Sequence, residues 1–538
     1  MRLIFSFLLF LIFSITSFSQ IIFQKAYGGP DNDAGAVFQE TVGLGNEGFI
    51  LSGSSNSYGI LSPSGWATMD FYLLRLNQFG DTLWTGSFGG DDDDVVSSVL
   101  QTADQGFVAV GRTQTFGAGG NDIYLVKVSS SGTFLWSRTF GGNVEDVGNS
   151  VMQAADGGFI VAGNTTSFGS GTSDPYLIRT DSDGYFNWSK TVGGSYNDVL
   201  NSAASSADGG FILVGRTSET NSCNLSFNTF LVKTDSTGSI QWARSFGGTA
   251  QCEGMSVKQT PDGGFVFIGY MQHAGTGNDV FIGKADSNGN PVWIKALDFG
   301  INDVGYSVEV SQNGDLLFSG FVQSSSGGYE DAFLIKMDSG ANLLWSSVYG
   351  NAATGVTLGS VVKECSDHGF AILGGIKDTA SGVPDVYLIK TDSDGHSGCN
   401  ESSLSPSVSA ASSLSCSLNF QVSGGGTQSS PVTKTRRGSV VTQMCFSAGV
   451  GDLGHAVSSL GVYPNPTDGK LFIKIPISIS RVENSKLLVS NIFGENVGIY
   501  RIAGEYQQID LSNEPAGIYF IRLESAGNVL SGKVVVRH

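Results

Sequence analysis

The chain has 538 residues, carries a formal net charge of −19 and is only 14% charged. Its 29 Lys and Arg include only a single basic cluster, Lys434 to Arg437, which argues against a nucleic-acid-binding surface, since that needs clustered cations. With so few charges, polarity comes from Ser, Thr, Asn and Gly, a composition that suits life outside the cell.

At the N-terminus, Met1-Arg2 precedes an almost wholly apolar run from Leu3 to Ile15, followed by Thr16-Ser17-Phe18-Ser19-Gln20. This is the pattern of a signal peptide over residues 1–19, cleaved after Ser19. The run is too short for a good membrane span and no other segment is long enough, so no transmembrane segment is expected in the mature chain.

From residue 21 to residue 394 the sequence repeats. Trp84, Trp136, Trp188, Trp242, Trp293 and Trp345 are separated by 52, 52, 54, 51 and 52 residues. A turn with an aromatic recurs in step, as in Asp104-Gln105-Gly106-Phe107 and Asp208-Gly209-Gly210-Phe211. Periods near 50 mark supersecondary units that bury their apolar faces only by stacking. Each unit reads as four short strands, labelled a to d from the axis outward, because β-branched and aromatic runs alternate with turn clusters. Four strands in about 52 residues make one propeller blade. Seven a-b-c sets are present but only six d strands follow them. The missing strand is Ile21–Tyr27, which copies Thr133–Phe140 with Phe23 at the Trp position. It is expected to complete the seventh blade and latch the ring, because an open ring exposes raw strand edges.

A ring of small residues is expected around the axis at Ala36, Ser98, Ser150, Ser202, Ser256, Ser307 and Ser360. The d-strand Trp is expected between blades, where full burial is worth at most about 4–6 kcal/mol per ring. Asp122-Ile-Tyr-Leu-Val-Lys127 and Asp331-Ala-Phe-Leu-Ile-Lys336, with the D-x-x-G turns, the Trp and a Gly-Gly, resemble the bacterial β-propeller repeat family. The resemblance covers about residues 21–394; it speaks for fold and is nearly silent on function.

Six cysteines suit an exported chain. Cys223 falls in the b–c loop of blade four and Cys252 in the following d–a loop, on one face, so a Cys223–Cys252 disulfide is expected. Cys365, Cys399, Cys416 and Cys445 allow three pairings that the sequence does not rank. After Gly398 the composition changes: residues 401–430 hold twelve serines, read as a loosely ordered spacer with strand near Val440–Phe446.

Strand-like patterning returns at Lys470–Ile475, Lys486–Asn491, Gln507–Leu511, Gly517–Leu523 and Lys533–Val536. The organisation expected is signal peptide 1–19, seven-bladed β-propeller 20–398, Ser/Gly-rich spacer 399–456 and a small C-terminal β-sandwich 457–538, an all-β chain. The last domain opens on Tyr463-Pro464-Asn465-Pro466, carries Ala516-Gly517-Ile518-Tyr519 and ends on a strand bearing Lys533. It closely resembles the type A C-terminal sorting domain of the Bacteroidetes type IX secretion system. The resemblance implies that the secretion machinery is a partner, and that the cargo is released or attached at the cell surface.

Chemistry is sparse. Five histidines share no metal or nucleophile spacing, no G-x-S-x-G is present, and the Gly-Gly pairs precede no helix that would make them a phosphate loop. Asp recurs before strand a (Asp33, Asp94, Asp146, Asp198) and before strand c (Asp70, Asp122, Asp174, Asp279, Asp331, Asp385). Calcium ligation is one reading; capping of the local turns is the reading preferred, because recurrence in every blade suits structure. No cofactor and no metal site are expected. The repeat breaks in blade one, whose b–c loop from Ser54 to Met69 carries Tyr58 and an off-period Trp66 beside Asp91, Asp92, Asp93 and Asp94. An aromatic beside carboxylates suits a sugar or a cation. Two functions remain: a non-catalytic binding or adhesion propeller for an unknown extracellular glycan or protein, or a propeller enzyme acting on polysaccharide. The innermost strands are mainly Ser, Gly, Ala and Val, and Lys258, Glu309, Lys363 and Glu364 do not cluster in sequence, which favours the first.

Overall fold

The computed structural model describes residues 20–537 except 46, 220–226, 248–249, 274–276, 324–329, 351–356, 378–382, 412–413, 431, 437–439, 449–460, 464–466, 468, 475–485, 492–495, 502–505 and 526–527. The expected signal peptide, Cys223 and Pro464-Asn465-Pro466 lie outside the described residues. These residues are all-β and separate into two units, 1–450 and 451–538.

The first unit is propeller-like. Among the described residues it contains seven antiparallel sheets of five strands each, and every sheet packs on the next until the seventh meets the first. In the second blade Asp94–Gln101, Phe107–Thr113, Asp122–Val128 and Phe134–Gly141 pair in chain order. The closing strand Ile21–Gly28 pairs with Pro384–Lys390, Phe23 opposite Lys390, and so supplies the seventh blade's d strand as expected. The Phe23 ring packs edge-on against Phe49 of blade one, centroids 6.4 Å apart.

Three repeated contacts order the blades, two of them between neighbours and one within each blade. Each d-strand Trp leans on the next blade: Trp84 lies 5.8 Å from Phe107, and its Nε1 donates to Ser130 O at 3.0 Å. These six rings stay half-buried, so the stabilisation falls short of the full-burial value. Buried strand-c cations close their own blade's a–b turn, as in Lys233–Asp208 at 2.7 Å and Lys390–Asp367 at 2.9 Å. The strand-a residue opposite the aromatic that follows the turn reaches back to the preceding blade's turn. Ala103 N donates to Gln153 Oε1 at 2.9 Å, Ala207 N to Gln259 Oε1 at 2.7 Å, and Ser366 N to Glu40 Oε2 at 2.7 Å, which staples blade seven to blade one. The expected axial ring is corrected by one residue in two blades. The sheet register places Val37 and Val361, not Ala36 and Ser360, level with Ser98, Ser150, Ser202, Ser256 and Ser307.

The segment read as a spacer is the largest departure. It runs backward around the unit and adds one outer strand to every blade. Glu401–Ser402 pairs with blade six, Ser407–Ala410 with five, Leu414–Ser417 with four and Gln421–Ser423 with three. Thr427–Ser429 then pairs with blade two, Lys434–Arg436 with one, and Val440–Ala448 with the closing strand on seven. Each step takes six or seven residues, about 20 Å of extended chain. A raw sheet edge is a template for pairing, and this belt covers all seven. Between steps it dips into the blade junctions: Leu404 packs between blades five and six, Ala411 between four and five, and buried Leu418 and Phe420 between three and four. At the next junction a Cβ on Gly425 would stand 2.6 Å from the Phe168 ring, so only glycine lets the belt pass.

The cysteines change accordingly. Cys252 is a free thiol lying within strand Gln251–Gln259, not in a loop; the Cys223–Cys252 bridge is therefore not formed. In blades one to four and six, Asp begins strand a at this position; here the side chain packs between blades four and five, and burial pushes the thiol up to about 12. Cys365 is also free and buried. Cys399 and Cys416, in the belt, are disulfide-bonded.

In the second unit Gly461–Tyr463, Lys470–Lys474 and Tyr506–Asp510 form one sheet, and Asn496–Arg501, Lys486–Asn491, Gly517–Ser525 and Asn528–Val536 another. One core unites them, including Leu471, Ile509, Leu487, Tyr519, Ile521 and Val534. The strand at 496–501 has no counterpart in the sequence reading. Of the expected sorting residues, Tyr519 is buried with its hydroxyl donating to Pro515 O at 2.7 Å, Gly517 starts its strand, and Lys533 is exposed on the last one.

Candidate functional site

The irregular loop of blade one folds as a small hairpin. Ser62 N donates to Trp66 O at 2.8 Å, Trp66 N to Ser62 Oγ at 3.2 Å, and Leu61 bridges Ala67. Its base is clamped by Asp70, whose Oδ2 accepts from Ile60 N at 2.6 Å and Thr68 Oγ1 at 3.0 Å. Asp93 Oδ1 accepts from Met69 N at 2.9 Å. The tip is left open: Trp66 is 78% exposed and Leu61 58%.

The six expected site residues therefore divide. Trp66, Asp92 and Asp93 are exposed and Asp91 is half-exposed. Tyr58 turns inward, stacking on Tyr72 at 5.5 Å and donating to Gly28 O at 2.9 Å. Asp94 is buried, accepting from Gly90 N at 2.8 Å, and burial raises its carboxyl to about 6. Sequence reasoning missed the belt's contribution to this face. Lys434 pairs with Asp91, and Arg436 Nη1 donates to Gly59 O at 2.8 Å, beneath the hairpin. The patch thus joins an exposed indole to carboxylates and two cations.

The recurring Asp residues cap turns, as preferred from sequence: Gly142 N donates to Asp146, Gly194 N to Asp198 and Ala118 N to Asp122, each at 2.8 Å. They also explain the first glycine of each Gly-Gly pair. A Cβ on Gly89 would sit 1.8 Å from Asp70 Oδ1 and 2.5 Å from Asp94 Oδ2. At the junction of blades five and six Asp298 takes that glycine's place. Asp279, Asp298 and Asp303 each bring an oxygen to within 4.8 Å of the others, the group among the described residues with the donor set for a hard cation.

A second concavity is the central channel, a cavity of about 800 Å³ lined by the innermost strands. Here charges scattered in sequence meet, contrary to the sequence reading. Lys363 Nζ lies 2.5 Å and Lys258 Nζ 3.4 Å from the same Glu309 Oε2. The signal was available: all three occupy one register position on successive blades. Nearby, Glu253 takes Tyr270 OH at 2.8 Å, Asn201 Nδ2 at 2.9 Å and Arg216 Nη1 at 3.3 Å.

With this geometry in hand, comparison with known proteins places the C-terminal unit first. Residues 461–537 match the secretion system C-terminal sorting domain. The chain is thus a cargo exported through the type IX system to the cell surface or medium. Regulatory protein FlaEY of Caulobacter vibrioides is 26% identical over 210 residues, 35% of this chain and 21% of that protein. The chain thus spans about a fifth of that curated relative's length. Among solved structures, PorZ, a bacterial surface component of the type-IX secretion system of Porphyromonas gingivalis, overlaps 91% of this chain and 69% of its own. Its TM-score is 0.30 at 11% identity. The extracellular domain of BT4673 from B. thetaiotaomicron overlaps 96% and 99% at a TM-score of 0.17 and 11% identity. Among the described residues no helix is long and apolar enough to cross a membrane.

Proposed function

We propose that the exported protein is a non-catalytic binding protein that engages an extracellular glycan or protein through the face carrying Trp66. The observation that carries this reading is an indole 78% exposed on a loop braced from three sides, by Asp70, Asp93 and Arg436. A large amphipathic ring on a braced loop offers much contact area for few rotatable bonds, the property that makes Trp a frequent anchor. The flanking Asp92 and Asp93 supply acceptors for sugar hydroxyls or for peptide cations. Against a hydrolytic role, the carboxylates lining the channel are already engaged: Glu309 by two ammonium groups, Glu40 by Ser366 and Glu364 by Gln312.

The test is a glycan array and a pull-down of surface proteins with the purified secreted chain and its Trp66→Ala variant. Loss of about 2 kcal/mol or more of affinity, roughly thirtyfold, is expected for an anchor residue. An unchanged binding profile, or polysaccharide cleavage by the wild type, would sink the reading.

A further inference from the structure

The channel wall is chemically lopsided. At the register position of the charged cluster, blades two to four carry Leu100, Met152 and Ala204, whereas blades five to seven carry Lys258, Glu309 and Lys363. All six line the cavity and are half-buried. An apolar arc therefore faces a charged arc. Two ammonium groups share one carboxylate oxygen, so the charged arc holds one positive charge in excess. Glu40 and Glu364 also line the channel, but their carboxylates cap turns: Glu40 accepts from Ser366 N and Oγ at 2.7 Å, and Glu364 from Gln312 N at 2.7 Å and His368 Nδ1 at 3.3 Å.

We propose that the central channel binds a small organic carboxylate with an apolar body, its carboxylate bridging Lys258 and Lys363 and its body resting on Leu100, Met152 and Ala204. Charge-assisted hydrogen bonds of this kind are roughly twice as strong as those between neutral groups. The space suits a ligand of drug-like size. Lys258 lies at about 8, lowered chiefly by the like charge of Lys363 and raised in part by Glu309. An anion between the two lysines relieves that repulsion, so binding takes up protons near pH 8 and weakens as pH rises further. The site is independent of the Trp66 face.

The experiment is calorimetric titration of the full secreted chain with benzoate, and with benzyl alcohol as its neutral counterpart. Saturable one-to-one binding of benzoate is expected, with benzyl alcohol and the Lys363→Met variant each weaker by about tenfold or more. Glu309→Gln removes the competing carboxylate and is expected to tighten benzoate binding several-fold. If Lys363→Met fails to fold, that gain of binding decides the matter. Heats that vary with buffer ionisation at pH 8 should report proton uptake. The proposal is overturned if neither benzoate nor hexanoate saturates, if binding is the same in Glu309→Gln as in wild type, or if Trp66→Ala abolishes it.

Discussion

The blades and the belt reach the same end, a paired β-strand, by opposite routes. A blade strand carries its own instructions: alternating β-branched and aromatic residues, a D-x-x-G turn, and a Trp or Lys at a fixed place. A belt strand carries almost none. It pairs over two to four residues on six blades and takes its conformation from the edge it covers. Strand formation can therefore be encoded in side chains or imposed by a neighbouring backbone, and only the first writes a pattern into composition.

Truncation separates the two most sharply. Removing 20–28 deletes the seventh blade's outer repeat strand and the partner of Val440–Ala448 together. Aggregation, or loss of cooperative melting, is expected. Ending the chain at residue 398 removes the belt together with the C-terminal unit and should leave a closed but weakened ring with seven bare edges. Ending it at residue 450 keeps the belt and should melt like the full chain while losing export. A spacer would make the last two truncated chains melt alike; differential scanning calorimetry distinguishes the cases.

The repeating antiparallel sheets, the closing strand and the sorting domain were legible because each repeats or matches a pattern along the whole element. The belt was not, because serine-rich segments read as coil when their hydrogen-bond partners lie far away in sequence. A weak signal did exist: Leu404, Ala411, Leu418, Gly425 and Val432 recur every seven residues, the step between blade junctions. Part of the candidate site was legible for the same reason in reverse, since Trp66 and the Asp run stand out by breaking the repeat. Lys434 and Arg436 were not, because their place on that face depends on the belt. The disulfide expectation failed because Cys252 lies at a strand position whose side chain packs between blades.

A smaller effect probes how much the belt's side chains add beyond its backbone. Phe420 is buried against blades three and four, its ring 5.6 Å from Phe230. Phe420→Ala should cost about 3 kcal/mol by cavity formation, read as a fall in denaturation midpoint with an unchanged slope. Val432→Ala, at an exposed belt position, should cost less than about 0.5 kcal/mol. Equal effects would mean that the belt is held by backbone pairing alone.

The smallest effect expected is a pH dependence that belongs to the blades and not to the belt. Burial raises Asp70 to about 7 and Asp94, Asp122, Asp198 and Asp303 to about 6. In the unfolded chain these groups titrate near pH 4. Between the two values the folded state holds more protons, so stability falls as pH rises from about 4 to about 7 and is flat above. Asp208 and Asp262 act oppositely: hydrogen bonds from Lys233 and Lys284 hold them at about 2, so their contribution fades only in stronger acid. The melting temperature should therefore peak near pH 4–5 and decline by a few degrees toward pH 7. Asp70→Asn should flatten part of that decline. These five carboxylates stand on blade strands, so the chain ending at residue 398 should melt lower at every pH yet keep the same slope. A melting temperature that instead rises toward pH 7, or a slope that vanishes with the belt, would show that these carboxylates are not what titrates.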